Sequence, residues 1–378
     1  MPGFHLFSDE EIDAHAAKMT NDLAAALAAG TPREEALRQM GEAAADLLED
    51  RASVLADHMQ QRAPLAAARR QARAAQLTDR WGTALDAYYT VTIAASELGT
   101  RCAQRRDEVA APADSVSNAL VLLHARACQT SAEVHALLAA GFPGGAYARY
   151  RTLHEIAVTT AVIAEHGRTP EHADLADRYL SHTHIEHWQC AEHYQRSSSR
   201  LGWPPVSQET MRALRRERNR LTSRYGKAYL EPYGWAASLI KPKLTFARLE
   251  AKANMDVLRY LYATGSHLVH ATAHGLALTI RPGQDAATAG DGAPAAGPVT
   301  VVVTAGPTTT GLAQPAEVSL NALLDVTCGL VMHGGHPESL DIHVNFLALH
   351  ELRKRTIRLF DQAEALGPEP GRMNGPAC

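Results

Sequence analysis

Two four-residue spacings in this chain bring together side chains that can do chemistry. Arg151 and Glu155 form R-x-x-x-E within AYARYRTLHEIAVTTAVIAEHG, residues 146–167. Tyr147 lies a turn earlier, and His154 sits about 60° from Arg151 around a helix. A guanidinium carries fixed positive charge for a phosphate or an oxyanion, while a carboxylate orients a partner or serves as a base. Further on, Tyr262, Ser266 and His270 recur every fourth residue in MDVLRYLYATGSHLVHATAHG, beside Leu258, Val269 and Ala273. If these two helices pack on each other, His270 supplies a general acid or base, Tyr262 and Ser266 supply hydroxyls, and Arg151 supplies an anion site. The same residues would also serve as an internal hydrogen-bond network, with Arg151 and Glu155 a buried ion pair that locks helix register.

A metal reading does not suit the histidines at 172, 182, 184, 187 and 193. His182 and His184 fall about 200° apart on a helix. His184 and His187 would supply only two ligands, so neither a metal nor another cofactor is expected. Arg212, Arg215, Arg216, Arg218, Arg220, Arg224 and Lys227 form the densest basic run. It suits a phosphate backbone, and equally a plain solvated helix face. GxGxxG, P-loop, G-x-S-x-G and zinc-ribbon spacings are absent, which argues against the common nucleotide-binding and hydrolase folds.

The elements that must position these residues are helical. Hydrophobic residues make up 46% of the 378 residues and aromatics only 6%, so the apolar mass is Ala, Leu and Val, suited to close helix contacts. Residues 146–167 are apolar on nearly every side, with Tyr147, Val158 and Val162 on one flank and Leu153, Ile156, Ile163 and Ala164 on the other; this predicts a buried central helix. Ser8 with Glu11, and Thr31-Pro32-Arg33-Glu34, read as capping boxes that start helices near residues 9 and 32. Ala-rich helices broken near Gly30, Arg62 to Leu65 and Gly82 run to about residue 108. Further helices are expected over 115–140, 169–197, 207–224, 244–252, 254–274, 316–332 and 338–366. The runs Leu276–Arg281 and Val299–Thr304 flank the low-complexity GQDAATAGDGAPAAGP and predict a β-hairpin. The expected architecture is all-α: an N-terminal helical domain over 1–110, a helical-bundle core over 111–335 with a small β-hairpin insertion at about 276–304, a C-terminal helix over 336–366 and a flexible tail over 367–378.

A net charge of −4 excludes a globally basic nucleic-acid binder but allows a local basic groove. Five scattered cysteines without C-x-x-C read as reduced thiols. The N-terminus MPGFHLFSDEEID lacks the character of a signal peptide, and no apolar run approaches a membrane span, so a cytoplasmic protein with no membrane partner is expected.

The R-x-x-x-E helix, the Y-x-x-x-S-x-x-x-H helix and the hairpin that follows resemble a bacterial all-helical family of unknown function over about residues 115–335. That family is distantly similar to the HEPN group (higher eukaryotes and prokaryotes nucleotide-binding). The resemblance implies an RNA-cleaving toxin or phage-defence effector, and Arg149 with His154 fits the R-x4-6-H pattern of HEPN nucleases. Two functions follow. One is a metal-independent RNase: His270 or His154 takes the 2′-hydroxyl proton, Arg151 or Arg149 stabilises the phosphorane, and the arginine helix (Arg212, Arg215, Arg216, Arg220, Arg224) steers RNA. The other is a non-catalytic ligand-sensing or assembly module, with a second copy or another protein held at the N-terminal helices. An open positive groove would mark the first, and a closed polar cluster the second.

Overall fold

The molecule, a computed structural model, is described over residues 9–108, 114–241, 243–270, 272–277, 280–282, 301–303, 306–334 and 339–366. Among these residues nearly all the regular structure is helical, in two compact units that divide between Ala75 and Gln76.

In the first unit, α1 (Asp9–Ala28) and α2 (Arg33–Gln60) pack on each other across a turn at Gly30, whose φ of +87° suits glycine. Pro32 occupies the N-cap of α2 and no side chain caps it, so the expected Thr31–Glu34 box is not formed although the start is correct. Ala36 is buried, whereas Leu27, Leu37, Leu48, Val54 and Met59 are exposed.

The expected domain boundary near residue 110 differs from the observed one, and the reason is α3 (Ala63–Glu108). It runs unbroken past Gly82, and Leu77, Trp81, Ala84, Tyr88, Val91, Ala95, Leu98 and Cys102 alternate at spacings of four and three into the core of the second unit. That apolar seam outweighs the roughly 1 kcal/mol by which one glycine disfavours a helix. Trp81 and Tyr88 meet Phe360 edge-on or tilted, and Trp81 Nε1 donates to Thr309 O at 2.9 Å.

The centre of the second unit is α5 (Pro143–His166), packed with α4 (Ser115–Ala139) and α11 (Ala313–His333); α12 (Leu340–Ala365) covers α11. Asp114 caps α4 by accepting from Val116 N at 3.0 Å, and Pro143 opens α5, where its missing N–H has no helical partner to lose. Leu153, Val158, Val162 and Ile163 of α5 are wholly buried, each contributing about 1.5–3 kcal/mol of hydrophobic stabilisation. α5 is therefore the buried central helix that its all-round apolar character predicts. By length and composition α11 is apolar enough to cross a membrane, contrary to expectation, but 67% of its apolar window is buried in this unit.

On the flanks, α6 (Leu175–Leu201) and α7 (Gln208–Tyr225) form an antiparallel pair, α8 (Phe246–Lys252) and α9 (Arg259–Val269) cover α5, and α10 (Ala273–Ala277) packs on α9. A single helix over 254–274 does not form. His270 ends α9 in an extended conformation, and Thr272 Oγ1 accepts from Gly275 N at 3.0 Å, capping a new helix instead of prolonging the old one. Residues Ile280–Pro282 (β1) and Val301–Val303 (β2) pair antiparallel, Ile280 opposite Val303; the loop expected between them, and the tail over 367–378, lie outside the described residues. The four described cysteines, Cys102, Cys128, Cys190 and Cys328, are free thiols.

Candidate functional site

α9 reaches α5 closely because Gly265 faces it: a Cβ there would lie 3.0 Å from Tyr147 O and 3.5 Å from Arg151 Cβ. This contact brings both sequence clusters together in two layers. In the outer layer Arg151 Nε donates to Glu155 Oε1 at 3.2 Å, Tyr262 OH donates to the same oxygen at 2.8 Å, and Arg151 NH1 lies 3.5 Å from His270 Nε2. The Arg151 guanidinium lies 4.9 Å from the Tyr262 ring centroid, a cation–π arrangement. The Arg151 and Glu155 side chains are 26% and 35% exposed and His270 is exposed. The pair is thus half-buried and not the buried pair that the surrounding apolar residues predict, because α9 covers one side of it and ends at His270.

The inner layer is closed. His154 and Glu250 are both 0% exposed, with His154 Nε2 donating to Glu250 Oε1 at 2.9 Å, and Arg259 donating to the other carboxylate oxygen. His154 Nδ1 has no partner. Burial holds His154 below its ordinary value, against the pull of Glu250, so the neutral Nε2–H tautomer fits this pocket. Its ring is packed among Tyr150, Phe246 and Tyr262, at 5.8–5.9 Å.

The two layers are joined through Tyr262, whose ring centroid lies 4.9 Å from the Arg151 guanidinium and 5.3 Å from that of Arg259. Burial and then the Glu155 hydrogen bond raise the Tyr262 pKa, so the hydroxyl stays protonated and donates. Tyr262 and Glu155 hold the Arg151 guanidinium above its ordinary value, against the opposing effect of burial. Tyr233 approaches from the preceding loop at a φ of +60°, its ring 6.0 Å from Phe246, and its pKa is raised by burial first and Glu155 second.

The other sequence candidates are placed apart from this group. Ser266 Oγ donates back to Tyr262 O at 3.0 Å, within its own helix, and takes no part in the convergence. Arg149 bonds to Glu133 and to Thr152 Oγ1 and so faces α4, while His154 is sealed against Glu250. The R-x4-6-H spacing therefore does not form a joint site here. On α7, Arg212, Arg216, Arg220 and Arg224 are exposed one turn apart, Arg220 is paired with Glu217, and Arg215 lies 5.5 Å from the Trp188 ring. His182 is buried, bonded through Nε2 to Tyr229 O, and His184 and His187 are exposed; no group of three or more metal-ligating side chains occurs among the described residues.

Glu250 and Arg259 were not singled out from the sequence. A signal existed: Phe246, Leu249, Glu250 and Ala253 share one helical face, so a carboxylate stands at a core position. A second concavity, a groove of about 510 Å³ between α3 and α4, is lined by Tyr89, Ile93, His124 and Cys128 among others and lies outside the polar cluster.

Chemically, the inner layer sets the geometry. The outer layer offers an anion-binding guanidinium and an exposed imidazole within reach of each other. Residues 117–286, which include every residue of both layers, match a family described as a family of unknown function (DUF5677). No curated protein and no solved structure matches the chain.

Proposed function

We propose that this chain is a metal-independent, RNA-directed enzyme of HEPN-like type, a cytoplasmic effector of the toxin or phage-defence kind. The observation that carries the reading is the Arg151–His270 approach of 3.5 Å at an exposed helix end. An RNA phosphate at Arg151 would meet a proton carrier at His270. His270 takes the 2′-hydroxyl proton and the 2′-oxygen attacks phosphorus. The bond to the 5′-oxygen then breaks, and the imidazolium returns the proton to that oxygen. Arg151 offsets the charge that develops on the phosphorane. Glu155 and Tyr262 act as positioning residues for Arg151, and His154 belongs to the supporting lock. In this reading the strand pair Ile280–Pro282 and Val301–Val303 forms the base of a hairpin insertion beyond the site.

A second reading, a non-catalytic assembly or ligand-sensing module, is favoured by a different observation. The first unit exposes Leu27, Leu37, Leu48, Val54 and Met59, an apolar set suited to a second copy or another protein. Cleavage of total and transfer RNA by the purified chain in EDTA separates the two. Under the enzymatic reading wild type cuts and a folded His270→Ala variant does not. If wild type cuts nothing and the variant melts like wild type, the enzymatic reading is wrong and the search turns to partners.

A further inference from the structure

The loop between α6 and α7 presents an aromatic surface that the polar site does not use. Trp203 is 55% exposed, whereas Trp81, Trp188 and Trp235 are buried. Its ring lies against that of Tyr194, with centroids 6.1 Å apart and planes inclined by 24°, so one face is backed and the remaining surface is open to solvent. The loop is firmly built. Gly202 ends α6 at a φ of +66°, and Trp203 N returns to Ser198 O at 3.0 Å. Tyr194 OH donates to Pro204 O at 2.8 Å, Val206 N donates to Gln195 Oε1 at 2.9 Å, and Ser207 then caps α7 by accepting from Thr210 N at 3.1 Å. The backbone that carries this exposed indole is therefore fixed by hydrogen bonds on both sides of it, and the ring itself rests on Tyr194. Such pre-organisation removes the ordering cost of a stacking contact.

The charge around this loop runs against the rest of the chain. Residues 192–225 contain eight arginines and three glutamates, in a protein whose net charge is −4. Arg196 and Arg200 are exposed on the last turns of α6, and the Arg212, Arg216, Arg220 and Arg224 row begins five residues after the α7 cap. Four residues of helix advance about 6 Å, a step that successive phosphates of an unstacked single strand can follow. A stacking aromatic beside an arginine row is the arrangement by which single strands are held without reading their sequence.

We propose that the Trp203–Tyr194 pair is a stacking platform for an unpaired base of single-stranded RNA, whose backbone runs along the α7 arginines. The inference rests on the RNA-directed reading above and names its substrate class: RNA with an unpaired stretch. A duplex keeps its bases stacked on one another and offers no free face to Trp203.

The test uses the full chain and a non-cleavable 2′-O-methyl oligoadenylate; affinity of every variant is read by fluorescence anisotropy of the end-labelled oligomer, and stacking in wild type by tryptophan emission, since the other three tryptophans are buried. The single strand should quench emission, while the same strand annealed to its complement should bind more weakly and quench less. Trp203→Ala should weaken binding by roughly 5- to 150-fold. Trp203→Phe should recover part of that loss, and Arg212→Ala should lower the slope of log affinity against log salt by about 1. Equal affinity of Trp203→Ala and wild type, equal binding of duplex, or quenching by anionic phosphatidylserine vesicles but not by the oligomer would each overturn the proposal. Its failure is separable from that of the enzymatic reading. Binding through Trp203 with no cleavage in EDTA sustains the platform and removes the enzyme; cleavage with unchanged Trp203→Ala binding does the reverse.

Discussion

Glu250→Ala should destabilise this protein far more than Arg151→Ala, although both remove one member of a charged pair at the same site. Glu250 and His154 are each 0% exposed, and His154 Nδ1 already lacks a partner. Deleting the carboxylate strands the Nε2–H as well, and a buried unsatisfied donor costs about 1–3 kcal/mol. With the cavity left by a fully buried side chain added, the total reaches about 3–5 kcal/mol. Arg259, 47% exposed, can turn to water and adds little. Arg151 and Glu155 are 26% and 35% exposed, where a screened ion pair contributes about 0.2–1 kcal/mol. The cation–π contact with Tyr262 adds about 0.5–1 kcal/mol. Arg151→Ala is therefore expected to lose about 1–2 kcal/mol. At about 2 °C per kcal/mol for a chain of this size, the variants should melt about 6–10 °C and about 2–4 °C below wild type. Urea unfolding followed by circular dichroism, with calorimetric melts alongside, measures both. If Arg151→Ala loses as much as Glu250→Ala, the two-layer description of the site is wrong.

Three further outcomes are expected. Burial pushes the His124 pKa down to about 4 and lowers that of His154, so below the unfolded value of about 6.5 the unfolded chain binds protons that the folded chain refuses. Stability present above about pH 6.5 should then fall toward pH 4, with His124 alone contributing a slope of about 1.4 kcal/mol per pH unit; in urea titrations His124→Gln should flatten this decline, and parallel profiles would refute the assignment. Gly265→Ala places a methyl 3.0 Å from Tyr147 O, which should cost about 1–3 kcal/mol and separate α9 from α5. Calorimetry checks the first effect and RNA cleavage the second, because Tyr262 and His270 ride on α9. Arg149→Ala removes a contact to Glu133 and should leave cleavage of RNA in EDTA at the wild-type rate; a loss as deep as that of His270→Ala would return Arg149 to the site.

The helical class and the central position of α5 follow from local pattern. An all-round apolar helix has to be enclosed, and the Tyr262 and Arg151 spacings place each side chain on a definite face before any fold is known. Helix starts at Asp114 and Ser207 were legible because capping is a matter of three or four neighbouring residues. The domain boundary was also written in the chain, in the four-and-three seam from Leu77 to Cys102, but it was masked by Gly82 and by the Ala-rich composition around it.

Which charges are buried is a different kind of fact, since it depends on what neighbouring helices cover. Arg151 and Glu155 occupy an apolar helix yet lie half-open, because α9 ends beside them at His270, and that end is set by the Thr272 cap. His154 is sealed only because Glu250, nearly a hundred residues away, fills a core position on α8. Trp203 stands exposed because an αL glycine and Tyr194 hold the loop against α6. The sequence alone determines element type, face and most element ends, since hydrophobic periodicity and capping act over a few residues. Exposure, pairing and the distance from Arg151 to His270 belong to the tertiary structure, because they arise from contacts between segments whose separation along the chain carries no periodic signal.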